Sequence, residues 1–154
     1  MLNNDGDIVK GLGYLTLYAA YVEEAVDNCM HILSKYDFSP PKKSQTWPIS
    51  RKIAYIQTQI RLKSLTHELS NFPALLNHLL ELFEKRNELI HGRVYGPLQG
   101  DKDTLRPGRS TGSVRTISSA EIYSLANEFF STLESLNHAS YYSLTRYLIS
   151  KVNS

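Results

Sequence analysis

Cysteine is almost absent from this chain. Cys29 stands alone, so no disulfide can close within the chain and a cysteine-ligated zinc site is excluded. Long apolar runs are missing as well; nothing approaches the roughly 20 residues that a membrane helix needs. The opening Met1-Leu2-Asn3-Asn4-Asp5-Gly6-Asp7 has neither the basic region nor the apolar stretch of a signal peptide. These absences lead us to expect a soluble, cytoplasmic protein in a reducing compartment, with no membrane partner. There is no glycine-rich phosphate loop and no Gly-x-Ser-x-Gly elbow. His31, His67, His78 and His138 show no metal-ligand spacing with one another or with acidic pairs. No metal site and no cofactor is therefore expected, and these histidines read as surface or packing residues. Net charge is only +2, too mild to argue for nucleic acid by itself.

What is there suits one globular domain. The 154 residues are 42% hydrophobic and 21% charged, enough for a core and too apolar for disorder. Apolar residues recur at helical spacing from Ile8 to Tyr36, with Asp7 placed to cap the start. Tyr14, Leu17 and Tyr21 lie off that stripe and widen the apolar surface. Pro40-Pro41 ends the helix. A second helix is predicted over 49–65, with Ile53, Ile56 and Ile60 on one side and Arg51, Lys52, Arg61 and Lys63 on the other. Ser70-Asn71-Phe72-Pro73 opens a third, which should stop at Gly92. Ser118-Ser119-Ala120-Glu121 is a capping box, and the last helix follows it with a break near Asn137-His138. The expectation is an all-α, antiparallel bundle of four to five helices forming a single domain over 1–154.

Residues 93–116 are different in kind. They are rich in glycine and proline, poor in apolar residues, and carry Arg93, Lys102, Arg106, Arg109 and Arg115 against only Asp101 and Asp103. So long a connection is usually functional. A brief pairing of Val94-Tyr95 with Ser113-Val114-Arg115 is the most strand-like feature within it.

The third helix holds the residues that carry chemistry. At about 100° per residue, Phe72, Leu75, Leu76, Leu79, Leu82, Phe83 and Ile90 share a stripe, opposite Asn77, Glu81, Glu84, Lys85 and Glu88. Arg86 and Asn87 fall inside the apolar stripe, and His91 falls on its edge one turn beyond Asn87. A charge on a buried face is costly unless paired or hydrogen-bonded. The bland reading pairs Arg86 with an acid such as Glu23 and sets His91 against the negative end of the helix dipole. The sharper reading is chemical: arginine offers a planar fork to phosphate, histidine carries protons near neutrality, and asparagine orients either.

The run Arg86-Asn87-Glu88-Leu89-Ile90-His91-Gly92 resembles the signature of the HEPN superfamily, domains of higher eukaryotes and prokaryotes. That signature is an arginine, often followed by a polar residue, and a histidine four to six residues on. The resemblance implies a helical, usually dimeric protein that cleaves RNA without metal, in a cleft where two Arg/His pairs meet. It assigns catalysis to Arg86 and His91 with Asn87 in support, and it implies toxin–antitoxin, anti-phage or CRISPR settings. Toxins paired with a nucleotidyltransferase-like antitoxin carry a tyrosine two residues after the histidine. Here that position is Arg93, and the nearest tyrosine is Tyr95. We therefore expect a homodimeric, HEPN-like endoribonuclease with Arg93, Arg106 and Arg109 touching RNA phosphates. The alternative is a HEPN-like interaction module that does not cut. A DNA-binding regulator is weaker, since no helix-turn-helix spacing or recognition helix is evident.

Overall fold

The computed structural model describes residues 2–35, 42–62, 69, 71–95, 104–106 and 116–152. They are mostly helical, as the periodicity predicts. Five α-helices appear among them: α1 Ile8–Ser34, α2 Ile49–Leu62, α3 Phe72–Ile90, α4 Ser119–His138 and α5 Thr145–Val152. Two short strands, β1 Arg93–Tyr95 and β2 Thr104–Arg106, lie between α3 and α4. No helix among the described residues is long and apolar enough to cross a membrane. The Pro40-Pro41 stop, residues 63–65 of the expected second helix and Ser70 fall outside the described residues.

The helix starts follow local chemistry. The Lys10 N–H donates to Asp7 Oδ1 at 2.9 Å, so Asp7 caps α1 and satisfies one orphan donor. At α4 the Ser118 N–H donates to Glu121 Oε2 at 3.0 Å, and the Glu121 N–H donates to Ser118 Oγ at 3.3 Å. That is the reciprocal pattern of a capping box.

The chain forms two compact units. The first comprises Met1–Ala20 and Glu81–Ser131, and thus the start of α1, the end of α3, the ribbon and most of α4. Its core includes Leu15, Leu82, Phe83, Tyr123, Ala126 and Phe129. Phe83 and Phe129 meet edge to face with centroids 5.1 Å apart. Gly11 lets α1 approach α4 closely, because a Cβ there would stand 2.7 Å from Tyr123 Cε2.

The ribbon has a partner strand that the sequence reading did not name. β1 pairs antiparallel with Thr104–Arg106, with Val94 opposite Leu105; the alternative partner 113–115 lies outside the described residues. The physical reason is Leu105, an isolated apolar residue in a polar stretch. It is fully buried and forms a backbone bridge with the equally buried Ile117, which anchors the ribbon to the start of α4.

The second unit comprises Tyr21–Leu80 and Thr132–Ser154. The α2 stripe Ile53, Ile56 and Ile60 is buried there, with Val26, Cys29, Leu76 and Leu79. Lys52, expected on the solvent side, is buried instead, with Nζ 2.6 Å from Asp27 Oδ1. Its position one step from Ile53 puts it at the edge of the stripe, and the Asp27 carboxylate receives the ammonium. The expected break after α4 takes the form of a π-helical segment, Ala139–Leu144. The buried Ser140 hydroxyl donates to the Leu136 carbonyl at 2.7 Å there, a local side-chain competitor for the helical ladder.

Candidate functional site

The end of α3 belongs to the first unit, and its burial pattern follows the helical turn. Leu82, Phe83 and Leu89 are buried. Glu81, Glu84, Lys85 and Glu88 are exposed, as the polar face requires. In angular terms Arg86 sits between Leu82 and Leu89 on one side and Phe83 on the other. It should be as hidden as they are, yet Arg86, Asn87 and Ile90 are only half-buried. The apolar stripe is therefore open to solvent at its centre, and the opening holds a cation.

Arg86 is held but not satisfied. Its Nη1 donates to Asn87 Oδ1 at 3.1 Å. Its Nε–H is buried and has no partner. Among the described residues of the first unit no carboxylate lies within ion-pair distance of it. A guanidinium carries five donors and no acceptor. One buried donor left unmade costs about 1–3 kcal/mol, a cost that an incoming anion would remove.

His91 follows one turn after Asn87, in the turn that ends α3, and its side chain is exposed. The helix closes with the Gly92 N–H donating to the Leu89 carbonyl at 2.9 Å. The helix thus stops at Gly92 as expected, through a tightened final turn; the described glycine with positive φ is Gly6. The imidazole is thus accessible at the end of α3, one turn beyond Asn87.

The three arginines assigned to RNA divide. Arg93 is exposed at the first position of β1, directly after the motif. Arg106 is its cross-strand register partner, so the ribbon sets two arginine positions opposite one another. Arg109 lies outside the described residues, as do Lys102 and Arg115. Beside the motif a hollow of about 270 Å³ is lined by Lys85, Glu88, Leu89, Glu121 and Glu128 among others. Its carboxylates disfavour phosphate, and neither Arg86 nor His91 lines it.

Sequence reasoning missed a second feature. In the second unit a cleft of about 850 Å³ brings His78, Glu134 and His138 into one lining, with Phe72 and Leu75 as apolar wall. His138 stacks on Tyr142 within the π-helical segment, centroids 5.1 Å apart. The Glu134 to His138 spacing of one helical turn was a signal available in the sequence; His78, on another helix, was not. Among the described residues no three ligating groups gather closely enough to hold a metal ion. Comparison with family models, curated proteins and solved structures finds no match to this chain.

Proposed function

We propose that the protein is an endoribonuclease of HEPN type, acting in the cytoplasm as a toxin or defence effector, with a helical bundle of that type and a composite site completed by a second copy of the chain. The observation that carries this reading is the unsatisfied guanidinium of Arg86, held by Asn87 at 3.1 Å and half-buried on the apolar side of α3, with the exposed His91 one turn beyond Asn87. A phosphodiester supplies the missing acceptors. The RNA 2′-hydroxyl attacks the adjacent phosphorus as neutral His91 takes its proton. Arg86 stabilises the charge that gathers on the non-bridging oxygens. The P–O5′ bond breaks as protonated His91 of the second copy donates to the leaving oxygen. The products are a 2′,3′-cyclic phosphate and a 5′-hydroxyl. These roles require no metal ligand and no cofactor. Arg93 and the Arg106 position hold flanking phosphates, and an antitoxin or defence partner would act on the same end of α3.

The test compares wild type with His91→Ala on mixed cellular RNA, with melting curves as the folding control. Because His91 is exposed at a helix end, little packing is lost. Removing one proton-transfer group typically costs about 10²–10⁴-fold in rate. Cleavage should persist in EDTA and fail where the cut site carries deoxyribose. Equal cleavage by both proteins removes His91 from the mechanism.

A second reading, a HEPN-like dimerisation or interaction module that does not cut, is favoured by one other observation. Tyr14 and Tyr18 stack at 6.3 Å, Tyr18 meets Phe130 at 5.2 Å, and Leu17 and Phe130 are exposed. This aromatic ridge of the first unit is the kind of surface that docks. No cleavage by wild type over a broad RNA panel, with dimer confirmed by sedimentation, selects this reading. A monomer with and without RNA counts against both.

A further inference from the structure

Charge along the chain is far from even. From residue 38 to residue 67 there is no aspartate or glutamate, yet six of the lysines and arginines fall there. The second unit shows what becomes of them. Lys52 is buried against Asp27 and is spent on structure. Lys42, Lys43, Arg51 and Arg61 are exposed.

The same segment carries the chain's single tryptophan. Trp47 precedes Pro48, whose carbonyl accepts the first α2 bond from the Arg51 N–H at 3.0 Å. The Arg51 guanidinium carbon lies 4.2 Å from the Trp47 ring centroid. Tyr55, one turn further along the outer face of α2, meets Trp47 edge to face at 5.8 Å. Arg51, Tyr55 and Arg61 lie on the side opposite the buried Ile53, Ile56 and Ile60. Planar groups held at fixed angles and flanked by cations, in a segment without aspartate or glutamate, form a particular kind of surface. The planes can stack bases, and the cations can follow a phosphate backbone.

We propose that the outer face of α2 with Trp47 binds single-stranded polynucleotide, Trp47, Arg51 and Tyr55 stacking bases and Lys42, Lys43 and Arg61 contacting phosphates. A duplex would hide its bases from the stacking planes. An acidic peptide would meet the cations and have no use for the rings. This assignment stands independently of the cleavage proposed for the α3 motif.

The test uses ligands that cannot be cut: a short 2′-O-methyl oligouridylate and the matching deoxythymidylate, each with a fluorescent end label, added to the whole protein. Binding is followed by label anisotropy and by the emission of Trp47, which reports stacking directly because no other tryptophan is present. We expect both signals to titrate together and to weaken steeply with salt. The variant Lys42→Glu/Lys43→Glu/Arg61→Glu should lose about tenfold or more and reduce the log–log salt slope by about 2, at roughly 0.7 per single-strand phosphate contact. Trp47→Leu should weaken binding while leaving the salt slope in place. Preference for ribose-type or deoxyribose strands tells which polymer is bound, and either outcome supports the platform. It is overturned if anisotropy rises with no change in Trp47 emission, if the charge reversals leave affinity unchanged in a helical protein, if duplex binds more tightly than single strand, or if polyglutamate competes equally. Absence of any binding at low salt overturns it too. Because the probes resist cleavage, lost binding with intact RNA cutting sinks only the platform, and the reverse sinks only the nuclease.

Discussion

The Tyr123 hydroxyl donates a 2.8 Å hydrogen bond to Oδ1 of Asp5, joining α4 to the segment that precedes α1. Lys10 pairs with the other carboxylate oxygen, and the Leu2 N–H donates to Asn127 Oδ1 at 2.8 Å. The first residues of the chain are thereby tied across the first unit rather than left free.

This tie makes stability depend on pH. The Lys10 ammonium, then the Tyr123 hydroxyl and the Asp7 N–H, hold the Asp5 carboxyl down at about 2. An unfolded aspartate titrates near 3.9, so the unfolded chain binds the proton first as pH falls. The contribution is complete above about pH 4 and is lost between there and about pH 2. Burial, then the Asp5 bond, pushes the Tyr123 hydroxyl up to about 12. Its contribution is present below about pH 10, the ordinary tyrosine value, and lost as pH rises toward 12. Melting temperatures of Asp5→Asn should lie below wild type at neutral pH and converge with it near pH 2. Parallel curves across the acid range would show that Asp5 carries no such linkage.

Gly11 and Gly13 offer a matched comparison on one helix. A Cβ on Gly11 would meet the Tyr123 ring at 2.7 Å and Ile122 Cγ2 at 3.2 Å, whereas nothing lies within 4 Å of one on Gly13. The Tyr123 ring is buried and tethered by its hydroxyl, so it cannot swing aside freely. Gly11→Ala should cost about 1–3 kcal/mol by overpacking. Gly13→Ala should gain up to about 1 kcal/mol from helix propensity. Chemical denaturation of the two variants checks the sign difference; equal effects would mean that α1 and α4 do not approach as closely as Gly11 allows.

The Lys52–Asp27 pair is asymmetric, with side chains 8% and 46% exposed. Removing the exposed partner strands the buried one. Asp27→Ala should therefore destabilise by about 1–3 kcal/mol, discounted from the larger cost of breaking a fully buried pair because Asp27 is half in water. Lys52→Met keeps the stem's packing and leaves only a solvated carboxylate, so it should be the milder change. If Lys52→Met unfolds at lower denaturant than Asp27→Ala, the ammonium contributes more than this burial implies.

What the sequence made legible is what local chemistry controls. Asp7 and the Ser118–Glu121 box cap where their types and spacing say, and Ile53, Ile56 and Ile60 of α2 and Phe72, Leu76, Leu79, Leu82 and Phe83 of α3 bury as their periods require. The half-burial of Arg86 and Asn87 was not legible, since the angular count puts both on the hidden side. The features not legible depend on partners distant in sequence. Leu105 reads as one apolar residue in a polar connection until Ile117 is set against it. Lys52 reads as solvent-facing until Asp27 of another helix is known to receive it. His78 joins His138 only because two helices line one cleft. Periodicity specifies which side of a helix is hidden; it carries no information on which neighbour hides it.

Arg86 separates a functional cation from a structural one by the sign of a stability change. Its Nε is buried without a partner, its Nη1 reaches only the neighbouring Asn87, and no carboxylate is within ion-pair distance among the described residues of the first unit. Arg86→Met keeps an unbranched side chain of similar reach between Leu82, Phe83 and Leu89 and removes a donor that is left unmade. On the functional reading the folded protein should gain up to about 1–3 kcal/mol, the cost of such a donor, while RNA cleavage is lost. This is the trade expected where a binding group is kept at the expense of stability. Arg86→Lys should also lose cleavage, because an ammonium cannot present the planar fork that spans two phosphate oxygens. On the structural reading Arg86→Met breaks a needed interaction and the melting temperature falls. The measurement is therefore paired: denaturation and RNA cleavage on the same preparations of wild type, Arg86→Met and Arg86→Lys. A methionine variant that is less stable yet still cuts RNA would assign Arg86 to the framework and leave His91 without its phosphate-binding partner.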